Sequence, residues 1–87
     1  MSVIIHCRVN MFDRNAIVFV EQNDTIVEDS KESVPMGDLE SKLTVLAKQY
    51  GANKIHLIGS TQYLRGIARR LQRSNNFNFS RCEIEVN

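Results

Sequence analysis

The sequence predicts one α/β domain spanning residues 1–87, in which an antiparallel three-stranded meander precedes an α-β-α-β segment. Three observations predict this class. The first 29 residues hold β-branched and aromatic runs separated by turn formers. Apolar residues then recur at spacings of three and four in two segments, 36–50 and 61–73, as they do on amphipathic helices. A short, almost wholly apolar run, residues 54–59, lies between those helices, where a parallel strand is expected.

The N-terminal segment alternates over residues 3–9 and predicts the first strand. No basic region precedes its apolar residues, so we interpret it as a strand rather than a signal peptide. Apolar side chains on both faces are typical of a strand near the middle of a sheet. One face holds Val3, Ile5, Cys7 and Val9, and the other holds Ile4, His6 and Arg8.

The next 20 residues predict a hairpin. Residues 10–15 are rich in turn formers, and residues 16–21 are β-branched and aromatic, so they predict a second strand antiparallel to the first. Residues 22–24 form a tight-turn signal, and residues 25–29 predict a short third strand. The acids that flank this third strand suit the edge of a sheet, where charge discourages unwanted pairing.

Two helices and two further strands follow. Residues 30–35 are expected to be a connection, with Pro35 well placed at a helix start and Gly51 as the stop. The run 54–59 predicts a parallel strand buried on both faces, and the alternating segment 79–86 predicts a last strand near an edge. The first helical stripe consists of Met36, Leu39, Leu43, Leu46 and Tyr50. The second consists of Leu64, Ile67, Ala68 and Leu71.

The resulting order, β-β-β-α-β-α-β, resembles the ribonuclease H-like topology, which nucleases, actin-type ATPase halves and some ribosomal proteins share. The resemblance covers nearly the whole chain and consists of element order alone. It implies a mixed five-stranded sheet in which the first strand lies mid-sheet beside residues 54–58, with right-handed connections through both helices. The alternative is a ferredoxin-like α+β fold in which one hairpin strand is a decoration.

Nucleases of the resembling family hold two divalent metals with carboxylates from the first strand, the first helix and the end of the fourth strand. Here the first strand offers His6 and Arg8 and no acid, the first helix offers Glu40 near its start, and the fourth strand ends in Gly59 and Ser60. We therefore expect no metal-dependent nuclease. No other catalytic, cofactor-binding or metal-binding motif is present in the sequence, so the chain is expected not to be an enzyme.

The histidines and cysteines have interpretations that need no catalysis. His6 and His56 could approach each other on adjacent parallel strands, but two imidazoles alone make an incomplete zinc site. We expect each of them instead to cap a core face or to meet the inner face of a helix. Cys7 and Cys82 are expected to be buried free thiols in a cytoplasmic protein; the alternative is a disulfide, which requires their strands to lie side by side. No apolar run approaches the roughly 20 residues that span a bilayer, so no membrane partner is expected.

The second helix carries the strongest functional signal. Arginines spaced by four line one side of it, no acid accompanies them, and its first turn offers free backbone N–H groups to an anion. Such a stripe could contact phosphates or acidic side chains, or it could be a solvated face whose charges meet acids elsewhere in the chain. The candidate interaction and anion-binding residues are Ser60, Thr61, Arg65, Arg69, Arg70 and Arg73.

The charge distribution suggests what the partner is. Residues 1–50 carry eight acidic and five basic side chains, a net charge of −3, whereas residues 51–87 carry two acidic and six basic ones, a net charge of +4. A bipolar surface suits an acidic protein partner or a second copy of the chain. We therefore expect a small, non-catalytic, self-associating interaction module, of a size and style typical of phage or mobile-element accessory proteins. The alternative is a nucleic-acid-binding accessory protein that uses the arginine stripe.

Overall fold

A computed structural model describes residues 2–9, 13–51, 53–74, 77–80 and 83–85. The observed element order agrees with the predicted one, and a 3₁₀ turn, Met36–Asp38, precedes the first helix. The strands are β1 (Ser2–Arg8), β2 (Asn15–Gln22), β3 (Thr25–Pro35), β4 (Lys54–Ser60), β5 (Asn78–Phe79) and β6 (Glu83–Glu85). The helices are α1 (Leu39–Tyr50) and α2 (Thr61–Ser74).

The strands form one mixed sheet in the order β3-β2-β4-β1-β5, with β6 also paired to β1. The predicted mixed five-stranded sheet with two helices is confirmed, as is the position of β1 beside β4, to which it is parallel. β2 runs antiparallel to β1, as predicted, but the adjacency that a meander implies is wrong, because β4 lies between the two strands and pairs antiparallel with β2. Six residues connect β1 to β2. This length is sufficient to span the roughly 10 Å between two strands that lie two positions apart in the sheet.

The predicted last strand, residues 79–86, is interrupted. β5 and β6 both run parallel to β1, but their registers differ by one residue, since Ser2 lies opposite Asn78 whereas His6 lies opposite Glu83. The shift divides what alternation predicted as a single strand. The inward positions predicted for Cys82 and Val86 lie outside the described residues.

Both helices pack on the same face of the sheet. The connections β3-α1-β4 and β4-α2-β5 each join strands that lie two positions apart in the sheet, and both proceed across the sheet in the same direction. Because such connections share the same handedness, both helices lie on the same side of the sheet. The prediction that β4 is buried on both faces is therefore wrong: Ile55 and Leu57 are buried, whereas His56 and Ile58 are only half-buried. The core combines Val3, Ile5, Cys7, Ala16, Val18, Val20, Val34, Met36, Leu39, Leu43, Leu46, Ile55, Leu57, Leu64 and Leu71.

Two local features differ from the sequence-based expectation. β3 continues to Pro35, so residues 30–35 are strand rather than connection, because Val34 pairs opposite Ala16 of β2. Cys7 is buried and disulfide-bonded, so the predicted free thiol is wrong there, and Cys82 lies outside the described residues. The predicted helix stop is confirmed at Gly51, whose φ of 70° is accessible chiefly to glycine.

Candidate functional site

The face of the sheet opposite the helices carries a band of half-buried side chains. Strand pairing aligns them in rows: Phe19 lies opposite His56, and His56 lies opposite Ile4. A second row aligns Ile17 with Ile58 and His6 in the same way. This uncovered face is formed by Ile4 and His6 of β1, Ile17, Phe19 and Glu21 of β2, and His56 and Ile58 of β4.

Three polar side chains at the centre of the uncovered face form a continuous chain of hydrogen bonds. The Nε2 atom of His56 lies 2.8 Å from Oε1 of Glu21, and its Nδ1 atom lies 2.9 Å from Nε2 of His6. The side chains of His56 and Glu21 are 13% and 22% exposed. Three neighbouring strands supply one of these residues each, so strand pairing fixes the positions of the three hydrogen-bonded side chains.

The ring geometry shows how tightly His56 is held. The His6 and His56 ring centroids lie 5.2 Å apart with an interplanar angle of 13°. That separation is about the N···N distance plus two ring radii, so the rings lie nearly end to end and the hydrogen bond is close to linear. The ring of Phe19 stacks on His56 at 4.7 Å with an interplanar angle of 6°. His56 is therefore fixed at both nitrogens and against one face.

The chemistry of these three side chains determines which atom donates in each hydrogen bond. An ionised Glu21 only accepts, so Nε2 of His56 carries the hydrogen that it donates. Nδ1 of a neutral His56 is then an acceptor, and His6 donates to it from Nε2. In this tautomer, both ring N–H donors point towards the carboxylate. The arrangement presents two imidazole nitrogens face to face, with a single proton between them.

The structure changes the interpretation of both histidines. The sequence predicted that each would cap a core face or meet a helix, and this is wrong because both lie on the uncovered face. Their approach on adjacent parallel strands was foreseen, but Glu21 and Phe19 were missed. The signal for them is that residues 17, 19 and 21 share one face of β2, which becomes informative only once β2 is placed beside β4.

The predicted anion site separates into two parts. Ser60 is buried, and α2 begins at Thr61 directly after β4, so these residues make the strand-to-helix junction. A Cβ on Gly59 would lie 3.1 Å from Cε of Met36 and 3.3 Å from Cδ1 of Leu64. Gly59 thus allows a close approach of these two side chains to the backbone. The hydroxyl oxygen of Thr61 is buried and has no hydrogen-bond partner within the described part of the chain.

The arginine stripe lies on the solvent side of α2. Arg65, Arg69, Arg70 and Arg73 are all exposed. Within the described residues, no ion pair joins Arg65, Arg69 or Arg73 to an acid, whereas Arg70 does make an interaction. The exposed acids of β3 lie at the far edge of the sheet, since α2 contacts β1, β4 and β5 instead. The structure therefore separates the basic helix from the acidic edge.

Comparisons of this chain with protein-family models, with curated proteins and with solved structures find no match. Across the part of the chain that the structure describes, neither helix has the length and apolar character to cross a bilayer. The same residues contain no group of three or more histidine, cysteine, aspartate or glutamate side chains positioned to hold a metal ion.

Proposed function

We propose that this chain is a small self-associating interaction module that docks on a second copy of itself through the uncovered sheet face. One observation carries the proposal: both helices cover the same side of the sheet. The opposite side keeps Ile17, Phe19 and Ile58 only half-buried. A partly exposed apolar patch that polar side chains surround is often a contact site.

A second copy fits this face for two reasons. An isologous contact places the same apolar rows against each other, so it requires no other complementary surface. The central polar groups are also already bonded to one another, since His56 uses both nitrogens within its own chain. Covering them with an identical face therefore leaves neither ring nitrogen of His56 buried without a hydrogen-bond partner.

The size of the face sets the expected strength. Strands about 4.8 Å apart, with seven residues of about 3.3 Å each, give a five-strand face of roughly 550 Å². A standard interface takes about 800 Å² from each partner. We therefore expect a weak, concentration-dependent dimer rather than an obligate one.

Sedimentation velocity over a hundredfold range of protein concentration tests this proposal. The wild-type chain should pass from monomer to dimer, whereas Phe19→Asp, which places a charge in the middle of the face, should remain monomeric. Val45→Asp is the matched control, because Val45 is 52% exposed on α1, away from this face. A wild-type monomer at every concentration would contradict the proposal, as would equal dimerisation by both variants.

The arginine stripe supports a second candidate function, nucleic-acid binding. The supporting observation is that Arg65 and Arg69 are exposed and unpaired within the described residues, at a spacing that keeps them on one side of α2. Guanidinium groups in such a row can contact successive phosphates. Candidate contacts from Arg70 and Arg73 would extend the row.

Fluorescence anisotropy with labelled single- and double-stranded oligonucleotides tests this second function. The affinity should fall with salt at a log–log slope of about −0.7 to −0.9 per phosphate contacted. The double variant Arg65→Ala/Arg69→Ala should bind more weakly and with a shallower slope. Lys31→Ala/Lys48→Ala removes the same charge from exposed positions elsewhere and is the control. An equal loss of affinity in the two double variants would show that binding depends only on net charge, and it would reject the arginine stripe as the binding site.

A further inference from the structure

We propose that the disulfide bond of Cys7 is a redox switch, which keeps β5 and β6 closed on β1 when it is oxidised and lets them open when it is reduced. Cys7 is fully buried in β1 and is disulfide-bonded. The chain contains only one other cysteine, Cys82, so a bond within one chain joins these two residues. The switch does not depend on the proposed docking through the uncovered face.

The bond starts from the part of β1 that pairs with β6. Cys7 lies opposite Ile84, the central residue of β6. Cys82 lies outside the described residues and directly precedes β6 in the sequence. A disulfide between these two cysteines requires neighbouring strands, and the pairing of β1 with β6 meets this condition. The bond therefore adds a covalent link to a strand pair that is already in place.

The non-covalent attachment of this edge is short and interrupted. β5 has two residues and β6 has three, whereas β1 pairs with β4 along all seven of its residues. Ser80 bridges the position where the register shifts between β5 and β6. Its backbone N–H donates to the carbonyl of Val3 at 2.9 Å, and its side-chain oxygen accepts from the N–H of Ile5 at 3.0 Å. Short edge elements of this kind open at the lowest free energy.

Reduction removes the covalent link. One thiolate of a dithiol reductant attacks the bond and forms a mixed disulfide, and its second thiolate then releases the other cysteine. Two electrons and two protons thus pass to the protein, which gains two thiols, while the reductant becomes a disulfide. The two cysteines lie near opposite ends of the chain, so their bond closes a long loop, and such cross-links restrict opening most. After reduction, short strand pairing and Ser80 alone hold the edge.

Hydrogen exchange followed by NMR compares the oxidised and the reduced full-length chain, which share one sequence. The oxidised chain should be lighter by two hydrogens and should hold no thiol that reacts with maleimide after denaturation. Reduction with dithiothreitol should speed amide exchange in β5 and β6, and at the N–H of Ile5, by about 10- to 100-fold. Exchange in β2, including the N–H of Val20 that is bonded to Ser30, should stay the same.

Variants separate the effect of the bond from the effect of the reductant. The double variant Cys7→Ser/Cys82→Ser should exchange as the reduced chain does, with or without dithiothreitol. Ser80→Ala removes the hydrogen bond to the N–H of Ile5. It should speed exchange at the edge strongly in the reduced chain and little in the oxidised chain, because the cross-link holds the strands in the second case. Ser33→Ala, exposed on β3, is the matched control and should change neither form.

Four results would overturn the switch. Two reactive thiols after oxidation, or a cysteine-linked dimer, would show that no bond forms within one chain. Equal exchange in the oxidised and reduced chains would show that the bond does not hold the edge. A loss of protection in β2 as well on reduction would show that the bond holds the whole fold rather than one edge. Equal effects of Ser80→Ala in both forms would show that the cross-link and Ser80 do not act on the same opening.

Discussion

Ser30 is a buried polar residue at the point where β3 departs from regular pairing with β2. Val18 lies opposite Glu32 and Val20 lies opposite Val27, so residues 28–31 form a bulge. The Ser30 hydroxyl accepts a hydrogen bond from the backbone N–H of Val20 at 2.8 Å and donates one to the carbonyl of Val27 at 2.5 Å. One side chain thereby replaces the ladder bonds that the bulge removes.

Replacing Ser30 with alanine should lower the free energy of unfolding by about 1–3 kcal/mol, because the buried N–H of Val20 and the partly buried carbonyl of Val27 lose their partner. Urea denaturation measures this difference. Ser33→Ala is the control, since Ser33 is exposed on the same strand and should change stability by less than about 0.5 kcal/mol. Equal effects at both positions would show that Ser30 does not hold the bulge.

At the residue scale, the sequence predicts what lies under the helices better than what lies on the open face. The buried leucines of both helical stripes, such as Leu43 and Leu64, follow directly from helical periodicity. The Glu21–His56–His6 chain does not, because it depends on which strands are neighbours. Alternation assigns a residue to a face of its strand and carries no information about the strand alongside.

At the scale of elements, the junction between β4 and α2 rests on the missing side chain of Gly59. The backbone there approaches Met36 and Leu64 so closely that an added methyl group would require these side chains to move by a few tenths of an ångström. The G-S-T sequence at this junction therefore has a packing role. Gly66, in contrast, lies within α2, where a Cβ would meet nothing within 4 Å.

These two glycines should respond in opposite directions to alanine. Gly59→Ala should lower stability by about 1–3 kcal/mol, because Leu64 is buried and cannot move aside freely. Gly66→Ala should raise it by about 0.5–1 kcal/mol, since alanine is the better helix former. Chemical denaturation of both variants under one condition measures the pair. Stabilisation by both substitutions would mean that the junction has room for a methyl group.

The elements that sequence predicts well are those with a strong local pattern. The two helices are found within a few residues of their observed bounds, because their apolar stripes repeat over three or more turns. The extension of β3 through residues 30–35 is missed, since its charged and polar side chains suit an edge strand as well as a loop. Whether residues 30–35 form a strand or a loop is decided by their pairing with β2, which is a tertiary interaction.

At the scale of the whole molecule, the order of strands decides what the surface can do. Sequence-adjacent strands that alternate and are joined by turn formers usually pair, so β1 and β2 are expected to be neighbours. Instead, β4 lies between them, and this long-range pairing is not predicted by any local sequence pattern. The same insertion brings His56 between Glu21 and His6 and leaves one continuous uncovered face.

The proposed dimerisation through that face has a consequence for thermal stability. A dimer that dissociates on unfolding gains stability with protein concentration by mass action, by about 0.7 kcal/mol per chain for each tenfold increase. For a domain of this size, the Tm should therefore rise by about 3–5 °C per tenfold increase once the dimer is populated. Differential scanning calorimetry at 10 µM, 100 µM and 1 mM measures the rise. Phe19→Asp should melt at one temperature throughout, whereas Val45→Asp should follow the wild type. A wild-type Tm that is independent of concentration over this range would show that folding gains nothing from the uncovered face.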